Sequence, residues 1–185
     1  MTTTTTAHTA ARPGFTLIEL LVSMLIIGII MIALTGIFGQ FMKSSSYAKL
    51  SQQAAEDGQF AMNHIAKVLR TSSVVASVTN SQSITVYDYS LAKCAKFSLS
   101  GGRVVEGTYS AADKDSCSAG SGSFVSNALT AVPVTSLLFT AISSDNTTKT
   151  VGKASITMTL QATTGPTVRL QTTVSLRDYD ISGLL

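Results

Sequence analysis

The stretch that decides the fold is RPGFTLIELLVSMLIIGIIMIALTGIFGQFMK, residues 12–43. It carries a single acidic residue, Glu19, and no charged residue from Leu20 to Met42. A helix needs about 20 apolar residues to cross the hydrocarbon core of a bilayer, so this run is long enough to span a membrane. A secretory signal peptide has an apolar core of only about 7–15 residues. We therefore expect the segment to stay on the protein as an anchor.

Glu19 is the feature of this run that anchoring alone does not explain. An acid at the centre of a membrane helix costs about 2.5–3.5 kcal/mol, although the cost is smaller near an end. One interpretation leaves the Glu19 carboxylate harmlessly among the lipid headgroups. The other gives it a cationic partner when the helix packs among other helices, because ionisable groups in membrane segments usually mark function. The position of Glu19 does not decide between the two.

The sizes of the flanking segments set the expected orientation. Only a short, threonine-rich leader precedes the run, whereas a large polar region containing both cysteines follows it. We expect the leader to stay in the cytoplasm and residues 43–185 to be exported. In an oxidising compartment a disulfide between Cys94 and Cys117 would stabilise the fold by about 3 kcal/mol. The alternative is two unrelated thiols in a cytosolic protein.

The composition agrees with a secreted or membrane-linked protein, because 45% of the residues are hydrophobic and only 12% are charged. The formal net charge is +3, and the basic residues are scattered singly along the chain. A slightly basic surface permits contact with DNA, but no cluster of basic residues supports nucleic-acid binding.

The helical pattern continues beyond the apolar run. Apolar residues recur at spacings of three, four or seven up to Leu69, with polar residues on the other faces. The sequence therefore predicts one helix from about Thr16 to Arg70. After Arg70 the composition shifts to serine, threonine and valine, and seven short runs predict β-strands. They are SVVASVT, SITVYDY, AKFSLS, RVVEGTY, VTSLLFTAI, ASITMTLQA and TVRLQTTVSL.

The turns and the alternation in these runs predict an antiparallel arrangement. The pair Gly101-Gly102 predicts a hairpin turn, and Thr164-Gly165-Pro166 predicts a second turn. In ASITMTLQA, residues 154–162, apolar and polar residues alternate, which predicts one buried and one wet face. A sheet laid against the second half of the helix would bury these faces, and this gives an α+β fold. The small polar residues of 110–123 predict a surface loop stapled by Cys117.

The head offers little for catalysis or for a cofactor. His64 lies at the edge of an apolar stripe, where a packed or exposed imidazole is expected rather than a catalytic one. The sequence contains no GxSxG turn, phosphate loop, HExxH motif or metal-binding Cys/His spacing. Asp113 and Asp115 have oxygens for calcium but lack the spacing of an EF-hand, so a solvated loop is predicted. We expect no enzyme, no metal, no cofactor and no small-molecule substrate.

The residues GFTLIELL, 14–21, directly before an apolar helix, resemble the class III signal of type IV pilins and type II secretion pseudopilins. In that family a membrane peptidase cuts after the glycine, here Gly14, and methylates the new amino terminus, here Phe15. The family's acid, here Glu19, pairs with the terminal amine of a neighbouring subunit during filament assembly. The resemblance thus implies that a partner's ammonium group offsets the desolvation of the carboxylate.

The resemblance also implies a pilin-like organisation in which a long N-terminal helix packs on an antiparallel β-sheet head. Its parts would be a leader at 1–14, a membrane-spanning and filament-core helix at 15–42, an amphipathic half-helix at 43–70 and a periplasmic head at 71–185. The expected location is the inner membrane and then a filament, at or near its tip. The expected partners are a prepilin peptidase, other minor pilins and a major pilin.

Weaker resemblances extend beyond the signal. EDGQFAMNHIAKVLR, residues 56–70, and TTVSLRDY, residues 172–179, resemble PilW-type minor pilins and J-type pseudopilins. They favour a minor pilin that initiates or caps a filament. A pseudopilin of a type II secretion system and a filament-tip module that binds a surface or DNA remain the alternatives.

Overall fold

The computed structural model describes residues 14–118, 123–144, 150–162 and 165–176. Most of the predicted leader, Thr164 of the predicted second turn and the end of the TTVSLRDY motif lie outside these ranges. The chain divides into two compact units, Met1–Ser45 and Ser46–Leu185.

One helix, α1, covers Leu17–Thr71 and confirms the helix predicted from about Thr16 to Arg70. It is the one described helix that is long and apolar enough to cross a membrane. In the first unit all its residues are exposed. In the second unit one stripe is buried, at the three- and four-residue spacing of an amphipathic helix. The stripe consists of Ala54, Gly58, Ala61, Met62, Ile65, Ala66 and Leu69.

The described part of the head contains two antiparallel sheets. Their strands are β1 (Ser73–Val74), β2 (Val78–Ser81), β3 (Ser83–Asp88), β4 (Lys93–Ser100), β5 (Arg103–Ser110), β6 (Val125–Ala128), β7 (Val134–Ile142), β8 (Lys153–Gln161) and β9 (Thr167–Ser175). The first sheet has the order β1-β3-β4-β5-β6, and the second has the order β2-β7-β8-β9. A short helix, α2 (Lys114–Ser118), follows β5 in the chain.

The sequence indicated a single sheet, and the structure differs in three places. The run SVVASVT, predicted as one strand, is split into β1 and β2, which enter different sheets. Strand β6 was not predicted, because all four of its residues are exposed and it shows no alternation. The predicted surface loop at 110–123 contains α2.

The two sheets and the second half of α1 share one hydrophobic core. Strand β8 contributes alternate residues, as its sequence predicts, with Ile156, Met158 and Leu160 fully buried. Each large apolar side chain buried in this way contributes about 1.5–3 kcal/mol to folding. Gly58 permits the close approach of α1, since a Cβ there would lie 2.6 Å from Leu170 Cδ1 and 2.7 Å from Leu160 Cδ1.

The predicted hairpin at Gly101-Gly102 is confirmed. Ser100 and Arg103 form the last pair of the β4–β5 ladder and leave a two-residue turn between them. Gly101 and Gly102 have φ values of 57° and 71°, which are the left-handed conformations that a type I′ turn requires. A side chain at either position would be strained, and this explains the glycine pair.

Candidate functional site

The first turn of α1 is closed by a reciprocal contact between Thr16 and Glu19. The backbone N–H of Thr16 donates to Glu19 Oε2 at 3.2 Å, and the Thr16 hydroxyl donates to the same oxygen at 3.2 Å. The backbone N–H of Glu19 donates in return to Thr16 Oγ1 at 3.4 Å. This is a capping box, in which two side chains satisfy N–H groups that have no partner within the helix.

The capping box holds the Glu19 carboxylate but does not neutralise its charge. The described residues contain one salt bridge, between His64 and Glu106, so no described cation of the same chain compensates Glu19. The next polar side chain along the helix, Ser23, donates its hydroxyl to the carbonyl oxygen of Glu19 at 2.7 Å, away from the carboxylate. Glu19 therefore presents a fixed, exposed negative charge at the start of an apolar helix.

The surface around this charge is apolar. Phe15, directly before the helix, is 89% exposed, and Ile18 and Val22 are at least half exposed. An apolar surface of this extent is covered in functioning proteins by lipid or by other chains. In either surrounding the attraction between Glu19 and a cation would be much stronger than in water, because the local dielectric constant is low.

The two cysteines belong to the second unit, the head. Cys94 on β4 and Cys117 on α2 form the predicted disulfide, with a Cα–Cα distance of 5.6 Å. Both are buried, next to Tyr87 and Ala111 in a small second core. The Tyr87 hydroxyl donates to the carbonyl oxygen of Ala112 at 2.9 Å. The disulfide thus fixes α2 against the first sheet.

The sequence predicts a solvated loop at Asp113, but in the structure this residue caps helix α2. Its Oδ1 accepts the backbone N–H of Ser116 at 2.7 Å and also the Ser116 hydroxyl. The hydrogen bond from the Ser116 hydroxyl, and after it the one from the Ser116 N–H, lowers the pKa of the Asp113 carboxyl below its usual value, because each stabilises the charged form. In the described residues no group of three or more His, Cys, Asp or Glu side chains could hold a metal ion.

His64 has a structural partner. Its Nε2 lies 2.9 Å from Glu106 Oε2 on β5, and its ring packs edge-on against Phe97 on β4 with centroids 6.3 Å apart. These contacts join α1 to the first sheet. With these contacts the His64 side chain is packed and 36% exposed.

Two contributing residues were not identified from the sequence. Thr16 was not singled out, although Thr-x-x-Glu directly before an apolar run is the known signature of a capping box. Asp57, which binds backbone N–H groups of Ala131 and Val132, carries no local signal, because its partners lie more than 70 residues away. Only the folded chain brings them together.

Residues 10–35 match the model of the prokaryotic N-terminal methylation motif. No curated protein and no solved structure matches the chain. The motif implies processing by a prepilin peptidase and assembly with other pilins, and together with the apolar helix it supports anchoring in a membrane. The chain therefore carries the class III signal of a type IV pilin-like protein, joined through one continuous helix to an α+β head.

Proposed function

We propose that the protein is a minor pilin, a structural subunit that helps to initiate or cap a type IV pilus-like filament. In this proposal a prepilin peptidase cuts between Gly14 and Phe15 and methylates the new amino group of Phe15. The mature subunit is held in the inner membrane by α1, with its disulfide-containing head in the periplasm. Other minor pilins and a major pilin are its assembly partners.

The proposal rests on the position of Glu19. Thr16 holds its carboxylate at the start of an exposed apolar helix, inside the methylation motif. An uncompensated carboxylate in lipid is unfavourable, and a cation that meets it there lowers the free energy of the assembled state. Cleavage before Phe15 creates such a cation four residues from Glu19 along the chain. A neighbouring subunit in a filament would bring this ammonium group to the carboxylate.

The capping box makes a charge-specific experiment available. A Glu19→Gln variant keeps a side-chain oxygen that can accept the N–H of Thr16, but it has no negative charge. We expect this variant to insert in membranes. Its amount in sheared filaments should be lower than that of the unaltered chain by a factor of at least about ten. Immunoblots of the membrane and filament fractions measure the two quantities.

Ser23→Ala is the matched control, because Ser23 donates only to carbonyl groups of its own helix. It should enter filaments normally. Normal incorporation of Glu19→Gln would contradict the pairing role. Identification of the subunits that co-purify with the mature protein from membranes then separates a pilus from a secretion machine.

A further inference from the structure

In the described part of the chain, strand β9 is an edge strand of the second sheet. It ends the order β2-β7-β8-β9, and all nine of its residues pair with β8 in a regular ladder without a bulge. Among the described residues no strand lies on its other side. Half of its backbone N–H and C=O groups therefore point away from the sheet, where they are available to another strand.

Among the described residues, the other three edge strands have protective features that β9 lacks. Strand β1 has two residues and β6 has four, and β2 has four residues with a register irregularity and an Asn80 in the left-handed conformation. Short edge strands and bulges are the usual devices that prevent edge-to-edge pairing. Strand β9 has nine residues and a single charge, Arg169.

The hydrophobic core is incomplete at this edge. The inward side chains of the neighbouring strand β8 are completely buried, as Ile156 and Met158 illustrate. On β9 the inward Val168 and Leu170 pack against the same core but are only partly buried. A strand added beside β9 would cover both, so its binding would gain apolar burial as well as backbone hydrogen bonds.

The sequence of β9, TVRLQTTVS, is complementary to itself when it is read in the antiparallel direction about Gln171. Val168 then faces Val174, and Thr167 faces Ser175 of the second strand. Leu170 faces Thr172, and inward residues meet only inward residues, so the two sheets continue as one. Arg169 faces Thr173, which avoids the opposition of like charges.

We propose that β9 is a self-association surface, on which two copies of this chain pair their β9 strands antiparallel about a two-fold axis at Gln171. The interface is isologous, which is the commonest arrangement of protein dimers. A copy's other edges, at two to four residues, are too short to match nine residues. The pairing does not require Phe15 or Glu19, so it is independent of the proposed assembly function.

Cysteine cross-linking in membranes tests the pairing on the full chain. The two native cysteines are joined to each other, so an introduced cysteine is the only free thiol. Gln171 is exposed, and in the dimer the two copies of this position lie about 4.5–5.5 Å apart between Cβ atoms. We expect Gln171→Cys to form a disulfide-linked dimer on mild oxidation.

The register has its own test. Arg169→Cys and Thr173→Cys are each expected to form no disulfide-linked dimer alone, because identical positions would lie about 13 Å apart. Co-expressed with different tags, they should form a mixed dimer. Thr157→Cys, on the central strand β8, is a control that should form no disulfide-linked dimer. A cross-link that is equally strong at all these positions would show random collision and would overturn the proposal.

Charge substitution separates specific pairing from chance proximity. Gln171→Asp places two carboxylates opposite each other and should weaken association about fivefold. Gln171→Lys should do the same, and a mixture of the two variants should restore dimers. A folded, membrane-inserted Gln171→Cys chain that stays monomeric would disprove the proposal. So would an unchanged dimer in the Gln171→Asp variant.

Discussion

Asp57 on α1 binds Val132 in the connection between the two sheets, with Oδ2 accepting the backbone N–H of Val132 at 2.8 Å. The same oxygen accepts the N–H of Ala131 at 2.9 Å. The connection is also held to the first sheet, because Thr130 Oγ1 accepts the N–H of Val104 at 3.0 Å. One carboxylate therefore fastens the helix to the point where the chain passes from β6 to β7.

Asp57→Ala should lower the free energy of unfolding of the head by about 1–3 kcal/mol, because two charge-assisted hydrogen bonds are lost. Asp57→Asn should lose less, since its amide oxygen can still accept one N–H. Chemical denaturation of the mature protein in detergent measures both. The neighbouring Glu56→Ala removes only an exposed contact with Gln52 and should stay within about 0.5 kcal/mol of the unaltered chain. Equal effects at both positions would contradict the role of Asp57.

Removal of the disulfide by Cys94→Ala with Cys117→Ala should destabilise the head by about 3 kcal/mol. The two cysteines are 23 residues apart in sequence, and the loss of this cross-link gives the unfolded chain more conformational freedom. The midpoint of denaturant unfolding reports the change. Ser126→Ala, on the exposed strand β6, is the control and should leave the midpoint in place. An unshifted midpoint in the double variant would show that the disulfide contributes little.

Two glycines of the head should differ in their tolerance of alanine. A Cβ at Gly152 would lie 2.7 Å from the carbonyl oxygen of Ile142 and 2.8 Å from the backbone nitrogen of Ser144, so the backbone itself must move. At Gly58 the Cβ would meet the ends of leucine side chains, which can rotate. We expect Gly152→Ala to cost about 2–3 kcal/mol and Gly58→Ala about 1 kcal/mol, after the better helix propensity of alanine is included.

Gly36→Ala is the reference for these two variants, because nothing lies within 4 Å of its added Cβ. It should leave the stability of the head unchanged or raise the stability of α1 slightly. Thermal unfolding followed by near-ultraviolet circular dichroism ranks the three variants by stability. If Gly58→Ala proves more harmful than Gly152→Ala, the packing described for these two sites is wrong.

The stability that the Asp113 cap gives to α2 should decrease in acid. Because the hydrogen bonds from Ser116 lower the pKa of Asp113 in the folded state, the cap contributes its stability above the ordinary value near 3.8. This contribution is lost as the pH falls below that value and through the folded pKa. An NMR titration of the Asp113 carboxyl should show a pKa below 3.8, and Ser116→Ala should raise it. A titration that Ser116→Ala does not change would exclude this cause.

Local patterns predicted much of this fold. The three- and four-residue spacing up to Leu69 gave the helix, the alternation in β8 gave its buried face, and the glycine pair gave the hairpin. These features depend on neighbours in the chain. The division into two sheets does not, because the residues between β1 and β2 carry no signal of which sheet each strand joins.

The sequence predicted which residues form the candidate site better than it predicted their contacts. The single acid Glu19 in an apolar run is visible in the sequence, and the cysteine pair is too. The contact of Thr16 with Glu19 is a short-range motif that the sequence contains but that a search for long apolar runs overlooks. The contacts of Asp57 with Val132 and of His64 with Glu106 join residues distant in sequence, and no local sequence pattern determines them.

The measurement that tests the central claim most directly is the intact mass of the mature protein purified from membranes. The account predicts a chain that begins at Phe15 and carries one added methyl group on its terminal nitrogen. Gly14→Ala should block this processing, whereas Gly28→Ala, at a helix glycine with open space around it, should not. A native chain that begins at Met1, or a mature end at any residue other than Phe15, would contradict the account.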